Sequence, residues 1–264
     1  MIEGSLSLLM PAYNPGAMSR VAVASALAAL REDDRLIIQD ACSSDGWLDA
    51  LPDDPRIEVV SEKDSGQSDA LNRALARART EWVGWLNADD VISAEGLEKL
   101  RLDGLVRQDL DVAYGNSATI DAVGELIREF SPGDVRLDTL VRQGCVLYSG
   151  SVIFRTEFLR DIGGYSSLYH YTMDYELFLR AWSALRSAPA YVPVRVGSLR
   201  LHDGTKTDSV PWRFVREAVA ARRPYVKGPR LRVYGGVQTL AHALTVATTP
   251  LRATRIYRRL RHRS

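Results

Sequence analysis

Two adjacent carboxylates, Asp89 and Asp90, follow the apolar run Trp82-Val83-Gly84-Trp85-Leu86 and the amide Asn87. Trp, Val and Leu suit a buried strand, and a polar cluster at the carboxyl end of a strand sits where open α/β sheets bind ligands. Paired acids in that place suit a hard divalent cation, which takes one or two carboxylates and completes its shell with substrate phosphates and water. The competing reading makes Asp89 or Asp90 the cap of the helix that follows through Glu95, Leu97, Lys99 and Leu100. Three more polar clusters share the strand-end pattern: Tyr13-Asn14, the stretch from Asp40 to Gly46, and the stretch from Glu62 to Asp69. Asp40 can accept hydrogen bonds from a nucleobase imide or ribose hydroxyls, although Ser43-Ser44-Asp45-Gly46 is also ordinary turn chemistry. The third cluster lacks the spacing of a Walker loop, but it can bring a helix N-terminus to an anionic ligand. Its structural alternative is a turn capped by Ser68 or Asp69.

The elements that must position these loops alternate in type. Leu6 to Met10, Leu36 to Gln39, Ile57 to Val60 and the run ending at Leu86 read as strands. Met18 to Leu30 and Asp69 to Arg79 read as helices, the second with Ala70, Leu71, Ala74, Leu75 and Ala78 on one face. Such repetition predicts an α/β fold with a mainly parallel, Rossmann-like sheet flanked by helices, so that four loops converge on one edge. Further strands are expected at Val112 to Tyr114, Glu125 to Phe130, Ser151 to Phe154, Tyr191 to Val194 and Leu199 to His202, with a helix over Asp174 to Ala184.

At 264 residues and 46% hydrophobic, the chain can bury a full core, and one domain with an appendage is expected. The net charge of +1 conceals an asymmetry: from Pro211 onward thirteen Lys or Arg face the single acid Glu217, whereas the preceding residues carry 21 bases and 32 acids. Cys42 and Cys145 are too few for a disulfide framework, which points to a reducing cytosol with both as small buried residues. The start Met1-Ile2-Glu3-Gly4 has no basic region or cleavage site and argues against secretion. Val233 to Leu251 is interrupted by Gln238, His242 and several Thr, so no membrane span is read there.

Taken together, the loops resemble the family 2 glycosyltransferases with the GT-A fold. The residues that carry the likeness are Pro11-Ala12-Tyr13-Asn14, Asp40 with Ser43-Ser44-Asp45-Gly46, Asp64-Ser65-Gly66-Gln67 before Asp69-Ala70-Leu71-Asn72, and Trp85 through Asp90. Gly163-Gly164-Tyr165 and Met173 through Arg180 resemble the acceptor-side segment, so the likeness runs from about residue 5 to about residue 205. It implies an inverting enzyme that moves a sugar from a nucleotide-sugar, UDP-linked by expectation, to a saccharide or lipid-linked saccharide. Ala12, Tyr13, Asp40, Asp64 and Gln67 would line the nucleotide pocket, with Asp89 near ribose or metal and Asp90 ligating Mn²⁺ or Mg²⁺. Asn87 replaces the acid often found at the head of that motif and lowers the negative charge of the site. Asp174 matches the general base, with Glu176 second, and His202 matches a residue that approaches the metal or diphosphate. By itself Asp174 would be read as a helix-start residue.

The resemblance sets domain limits at residues 1–210, with residues 211–264 as a basic helical segment. In that segment Arg252, Arg255, Arg258, Arg259, Arg261 and Arg263 alternate with Leu251, Ile256, Tyr257 and Leu260. Such a helix fits docking on an anionic membrane surface, at about 1 kcal/mol per basic residue, and suggests a cytoplasmic protein peripheral to the inner face. A solvated tail or a helix packed on another subunit are the alternatives. Nucleic acid is not an expected partner, because the body is acidic and carries no recognition motif. A nucleotidyltransferase would need a Gly-rich basic phosphate loop that Pro11 to Gly16 does not supply. A noncatalytic nucleotide-sugar-binding scaffold is the other class, separated from an enzyme by activity alone.

Overall fold

Strand β1 (Leu6–Ala12) sends Leu6, Leu8 and Met10 to one face of the sheet and Leu9 to the other, so both faces need cover. The computed structural model, which describes residues 4–105, 109–202 and 211–226, provides it with helices on both sides. Helices α1 (Met18–Ala29) and α3 (Ala94–Gly104) bury Ala22, Val23, Ala26, Leu97 and Leu100 on one face. On the other, α2 (Gln67–Arg77) and α6 (Met173–Ala184) bury Leu71, Leu75, Phe178 and Trp182, joined by Leu140 of α4 (Leu137–Gln143) and Phe158 of α5 (Thr156–Asp161).

The remaining strands are β2 (Arg35–Asp40), β3 (Ile57–Ser61), β4 (Trp82–Trp85), β5 (Val91–Ile92), β6 (Val112–Ile120), β7 (Leu126–Phe130), β8 (Val152–Arg155) and β9 (Ala190–Arg200). Among the described residues they form one nine-stranded sheet in the order β3-β2-β1-β4-β8-β6-β9-β5, with β7 on β6. The β3-β2-β1-β4 half is parallel, as its helical crossovers require. The other half is mixed: β8 runs antiparallel to both β4 and β6, and β5 runs antiparallel to β9.

Several sequence expectations change in detail. Tyr191 to Val194 and Leu199-Arg200 are parts of the single strand β9, and Leu201 and His202 lie just past its end. Register shifts opposite Gly115 and Asn116 break its alternation there, beside Pro193, which has no N–H to give the ladder. Gly115 is required at this crossing, because a Cβ there would lie 2.6 Å from the Val194 carbonyl oxygen. Ser93, not Asp89 or Asp90, caps α3, its side chain accepting the Gly96 N–H. At the start of α2, Asp69 rather than Ser68 closes the turn, accepting the Ser65 N–H at 2.9 Å. Both cysteines are exposed, not buried, since each lies in a loop bordering the open edge of the sheet.

At the amino ends of the strands, three acids each stand one residue before a strand and pair with arginine. Asp34, before β2, takes Arg101 at 2.5 Å and the Leu6 and Arg31 N–H groups. Glu81, before β4, takes Arg155 at 2.5 Å and the Gly4 N–H, and Asp111, before β6, takes Arg186. Helix α7 (Pro211–Arg222), the start of the basic segment, packs on α6 and buries Val215 and Ala221. Among the described residues no helix is long and apolar enough to cross a membrane, and the arginine-rich stretch 252–263 and residues 233–251 lie outside them.

Candidate active site

The loops after β1 and β2 are stitched to each other. Asn14, at φ 45°, donates its N–H to Ser43 Oγ and accepts the Ser44 N–H, while the Gly16 N–H reaches Asp45. Asp40 is the anchor beneath them: its two oxygens accept from the Ser43 N–H and hydroxyl, the Ser61 hydroxyl and Trp47 Nε1. Burial alone would push its carboxyl up, but these donors outweigh that and hold it below the usual range. Fully buried and occupied by internal donors, Asp40 braces the pocket wall and does not line the cleft.

The turn after β4 is organised by Asn87. Trp85 Nε1, which can only donate, points at Asn87 Oδ1 at 2.7 Å, and Gln67 Nε2 joins it at 2.9 Å. The amide nitrogen is thereby turned toward Asp90 Oδ2, at 2.8 Å. An aspartate at position 87 has no donor to offer there, which accounts physically for the amide at the head of this turn.

The two acids of the turn have unequal surroundings. Asp90 is 1% exposed, and its other oxygen accepts the Arg200 N–H at 2.8 Å. Burial, and then the adjacent Asp89 charge, push its carboxyl up to about 6, with Tyr148, the Arg200 N–H and Asn87 opposing the shift. Asp89 is half-buried, and its Oδ2 lies 3.0 Å from His202 Nε2. Arg200 Nε clasps the Asp89 carbonyl oxygen at 2.9 Å, so the end of β9 fixes both carboxylates and delivers His202 beside the first.

Tyr148 also lines the cleft. Its hydroxyl is buried beside Asp90 without completing a hydrogen bond of good geometry. The ring fits only because residues 150 and 197 are glycines: a Cβ would lie 2.6 Å from the ring at Gly150 and 3.0 Å at Gly197. Those two glycines were the available signal, and they lie 47 positions apart.

Asp174 stands in the first turn of α6. Its Oδ1 accepts the Tyr175 N–H at 2.7 Å, and its Oδ2 lies 3.9 Å from Cys145 Sγ. Burial pushes the carboxyl above its usual range, with the Tyr175 N–H offsetting part of that. Glu176 faces elsewhere and is bound by Arg180. The Gly163-Gly164-Tyr165 loop is pinned to α2, where Asn72 accepts the Tyr165 N–H and donates to its carbonyl, and Gly164, at φ 63°, leaves room for the amide.

A cleft of about 820 Å³ opens at this edge of the sheet, within the range of small-ligand sites. Ala12, Tyr13, Asp64, Gln67, Asp89, Asp90, His202 and Asp174 all line it, so of the expected site residues only Asp40 stands behind the wall. Tyr13 is 69% exposed, leaving a ring face free at the rim. Sequence reasoning did not anticipate His170, Tyr171 and Phe214, which complete the far side; Phe214 comes from α7. Among the described residues no three His, Cys, Asp or Glu gather as a closed metal cluster.

A sheet whose strand-end loops gather carboxylates and an imidazole around such a cleft has the layout of an α/β ligand-binding fold with its site at the carboxyl ends of the strands. Residues 7–163 match the family described as Glycosyl transferase family 2, and the chain belongs to that family. It is 27% identical over 159 residues to the succinoglycan biosynthesis protein ExoO of Rhizobium meliloti (strain 1021), covering 58% of this chain and 44% of ExoO. It spans only 32% of the length of other curated glycosyltransferase relatives that it matches. The fold is shared with S. aureus TarS 1–349, solved in complex with UDP-GlcNAc, at TM-score 0.64 and 17% identity over 82% of this chain and 66% of TarS 1–349. It is shared too with the mannosyltransferase PcManGT of Pyrobaculum calidifontis, solved with GDP-Man and Mn²⁺, at TM-score 0.60 and 16% identity over 97% of this chain and 82% of PcManGT. The GT-A architecture expected from the loop series is the one observed.

Proposed function

We propose that this protein transfers a sugar from a UDP-sugar to a hydroxyl of a saccharide or lipid-linked saccharide, with inversion at the anomeric carbon, in polysaccharide synthesis. The observation that carries this reading is the meeting of Asp174 with the Asp89–His202 pair in one cleft at the carboxyl ends of the parallel strands. The UDP-GlcNAc and GDP-Man complexes of the fold neighbours support the donor class, and the succinoglycan relative supports the process.

Asp174 Oδ2 takes the proton of the acceptor hydroxyl as that oxygen bonds to the anomeric carbon. The bond from that carbon to the diphosphate breaks on the opposite face, and the nucleoside diphosphate leaves with the bonding electrons. Burial strengthens the proton affinity of Asp174 relative to an ordinary aspartate, which suits a general base. Ala12, Tyr13, Asp64 and Gln67 bound the nucleotide half of the cleft, and His170, Tyr171 and Phe214 bound the acceptor half.

The donor set fits a divalent cation: a half-exposed carboxylate with an imidazole suits Mn²⁺ in particular, and the orphaned Tyr148 hydroxyl offers a further polar contact. Asp89 and His202 would hold the ion, exchanging the order expected for the acid pair, because Asp90 is buried and already accepts from Arg200 and Asn87. When bound, the cation would neutralise charge developing on the leaving diphosphate. The Mn²⁺ complex of PcManGT supports this assignment.

Differential scanning of the protein with nucleoside diphosphates tests the reading. UDP with Mn²⁺ is expected to raise stability, by about 2.7 kcal/mol at a hundredfold excess over Kd, and Asp89→Ala to remove the Mn²⁺ dependence. Absence of any nucleotide response would contradict it. The arginine-rich end is assigned to an anionic membrane surface, and equal flotation on anionic liposomes by a chain ending at residue 226 would refute that.

A further inference from the structure

Helix α6 begins without a cap of its own: Thr172 occupies the N-cap position and its side chain makes no capping hydrogen bond. The donors of this turn are met from a distance. Glu217 of α7 places one oxygen, Oε2, 3.0 Å from the His170 N–H, 2.7 Å from the Tyr171 N–H and 3.1 Å from the Thr172 N–H. The Thr172 hydroxyl lies 3.5 Å from the same atom. A carboxylate is suited to this place, because the unpaired N–H groups and the dipole at a helix start both favour negative charge. Glu217 is also the only acid in residues 211–264, where the other thirteen charged side chains are all Lys or Arg. Its helix is held against the body by buried Val215 and Ala221, and Phe214 of the same helix reaches the cleft.

The turn that Glu217 grips leads directly into Asp174. His170 and Tyr171 line the cleft, and Asp174 follows the gripped Thr172 by two residues. We propose that Glu217 is a positioning residue for sugar transfer, holding the 170–172 turn so that the Asp174 carboxylate faces the acceptor side of the cleft. This makes the first helix of the basic segment part of the active centre. The proposal rests on the reading of Asp174 as the general base.

Two measurements on the full chain test it, using Glu217→Ala, Glu217→Gln and Asp174→Asn. The first is release of nucleoside diphosphate from the sugar nucleotide that the wild type turns over in a panel of UDP- and GDP-sugars. Glu217→Ala is expected to lower kcat by about 10²-fold, the cost of a misplaced catalytic group, with KM for the donor within about twofold of wild type. Glu217→Gln keeps an acceptor oxygen and should fall between them. The second measurement is alkylation of Cys145 by iodoacetamide, with exposed Cys42 as internal reference, and needs no substrate. Burial, and then the Asp174 carboxylate 3.9 Å away, disfavour the Cys145 thiolate, so Asp174→Asn and Glu217→Ala should both speed modification of Cys145 and leave Cys42 unchanged.

Wild-type turnover and wild-type Cys145 alkylation in Glu217→Ala, alongside altered values in Asp174→Asn, would overturn the proposal. So would parallel loss of donor binding and turnover in both Glu217 variants, which would mark a general fold contact. Should Glu217→Ala not fold, wild-type values in Glu217→Gln would count against the proposal in the same way. Full turnover in Asp174→Asn would instead remove the base assignment, leaving the Glu217 contact as a structural cap.

Discussion

The two edges of the sheet use the same residue types to opposite ends. At the amino edge Asp34, Glu81 and Asp111 each precede a strand by one residue, and each is neutralised by an arginine. At the carboxyl edge Asp64, Asp89, Asp90 and Asp174 follow strands or open a helix, and none has a lysine or arginine ion partner among the described residues. Asp89 has an imidazole instead, while burial, with the Asp89 charge adding to it at Asp90, holds Asp90 and Asp174 above the usual carboxylate range, and their neutral donors offset only part of that. The three amino-edge carboxylates therefore hold strands together, while the four that line the cleft at the carboxyl edge keep charge that a cation or a proton can answer, unlike their neighbours Glu62 and Asp69, which pair with Arg73.

The comparison is broken most severely by exchanging the outcomes of substitution at the two edges. Asp174→Asn should lower kcat by about 10²–10⁴-fold, the usual contribution of a general base, while Tm holds or rises because a disfavoured charge is removed. A steady-state assay with parallel calorimetry decides this. Asp34→Ala should behave in reverse. It leaves the Arg101 guanidinium buried and unpaired, at a cost of about 3–5 kcal/mol seen in denaturant unfolding, with donor KM unchanged in the folded fraction. Comparable activity losses from both variants at equal stability would erase the distinction.

Smaller effects sharpen it. Asn87→Asp removes the donor to Asp90 and sets a third carboxylate in the turn, and is expected to lower metal-free stability by about 1–3 kcal/mol. An unchanged Tm in EDTA would show that Asp90 does not depend on the amide. The pH profile carries the last prediction. A general base at Asp174, as proposed, acts ionised, and burial disfavours that form, so kcat should fall on acidification through a pKa above the ordinary aspartate value of about 3.9. The titratable group facing it is the Cys145 thiol, neutral through that range. An acid limb at or below the ordinary value would show that Asp174 is solvated during turnover.

The parallel half of the fold was legible because strand and helix periods alternate cleanly up to Leu86, and the strand-end loops marked the cleft before any coordinates. The mixed half was less so. The bulges of β9 disguise one strand as two, and β5 is only two residues long, below the length at which periodicity speaks. Asp40 shows the limit most plainly: its position at a strand end was right for a ligand contact, yet Ser43, Ser61 and Trp47 turn its carboxylate inward.

By itself the sequence determined which loops border the cleft, because strand direction and loop order follow from local pattern. Only the tertiary structure decided which acid of the pair stays accessible, why position 87 is an amide, that Tyr148 lines the cleft and that Glu217 caps the turn leading to Asp174. Apart from the amide, whose partners Trp85, Asp90 and Gln67 are 2, 3 and 20 positions away, those answers depend on distant contacts, among them His202 against Asp89, 113 positions apart, and Glu217 against Tyr171, 46 apart. Burial and hydrogen-bond saturation are properties of such distant contacts, and no local pattern encodes them.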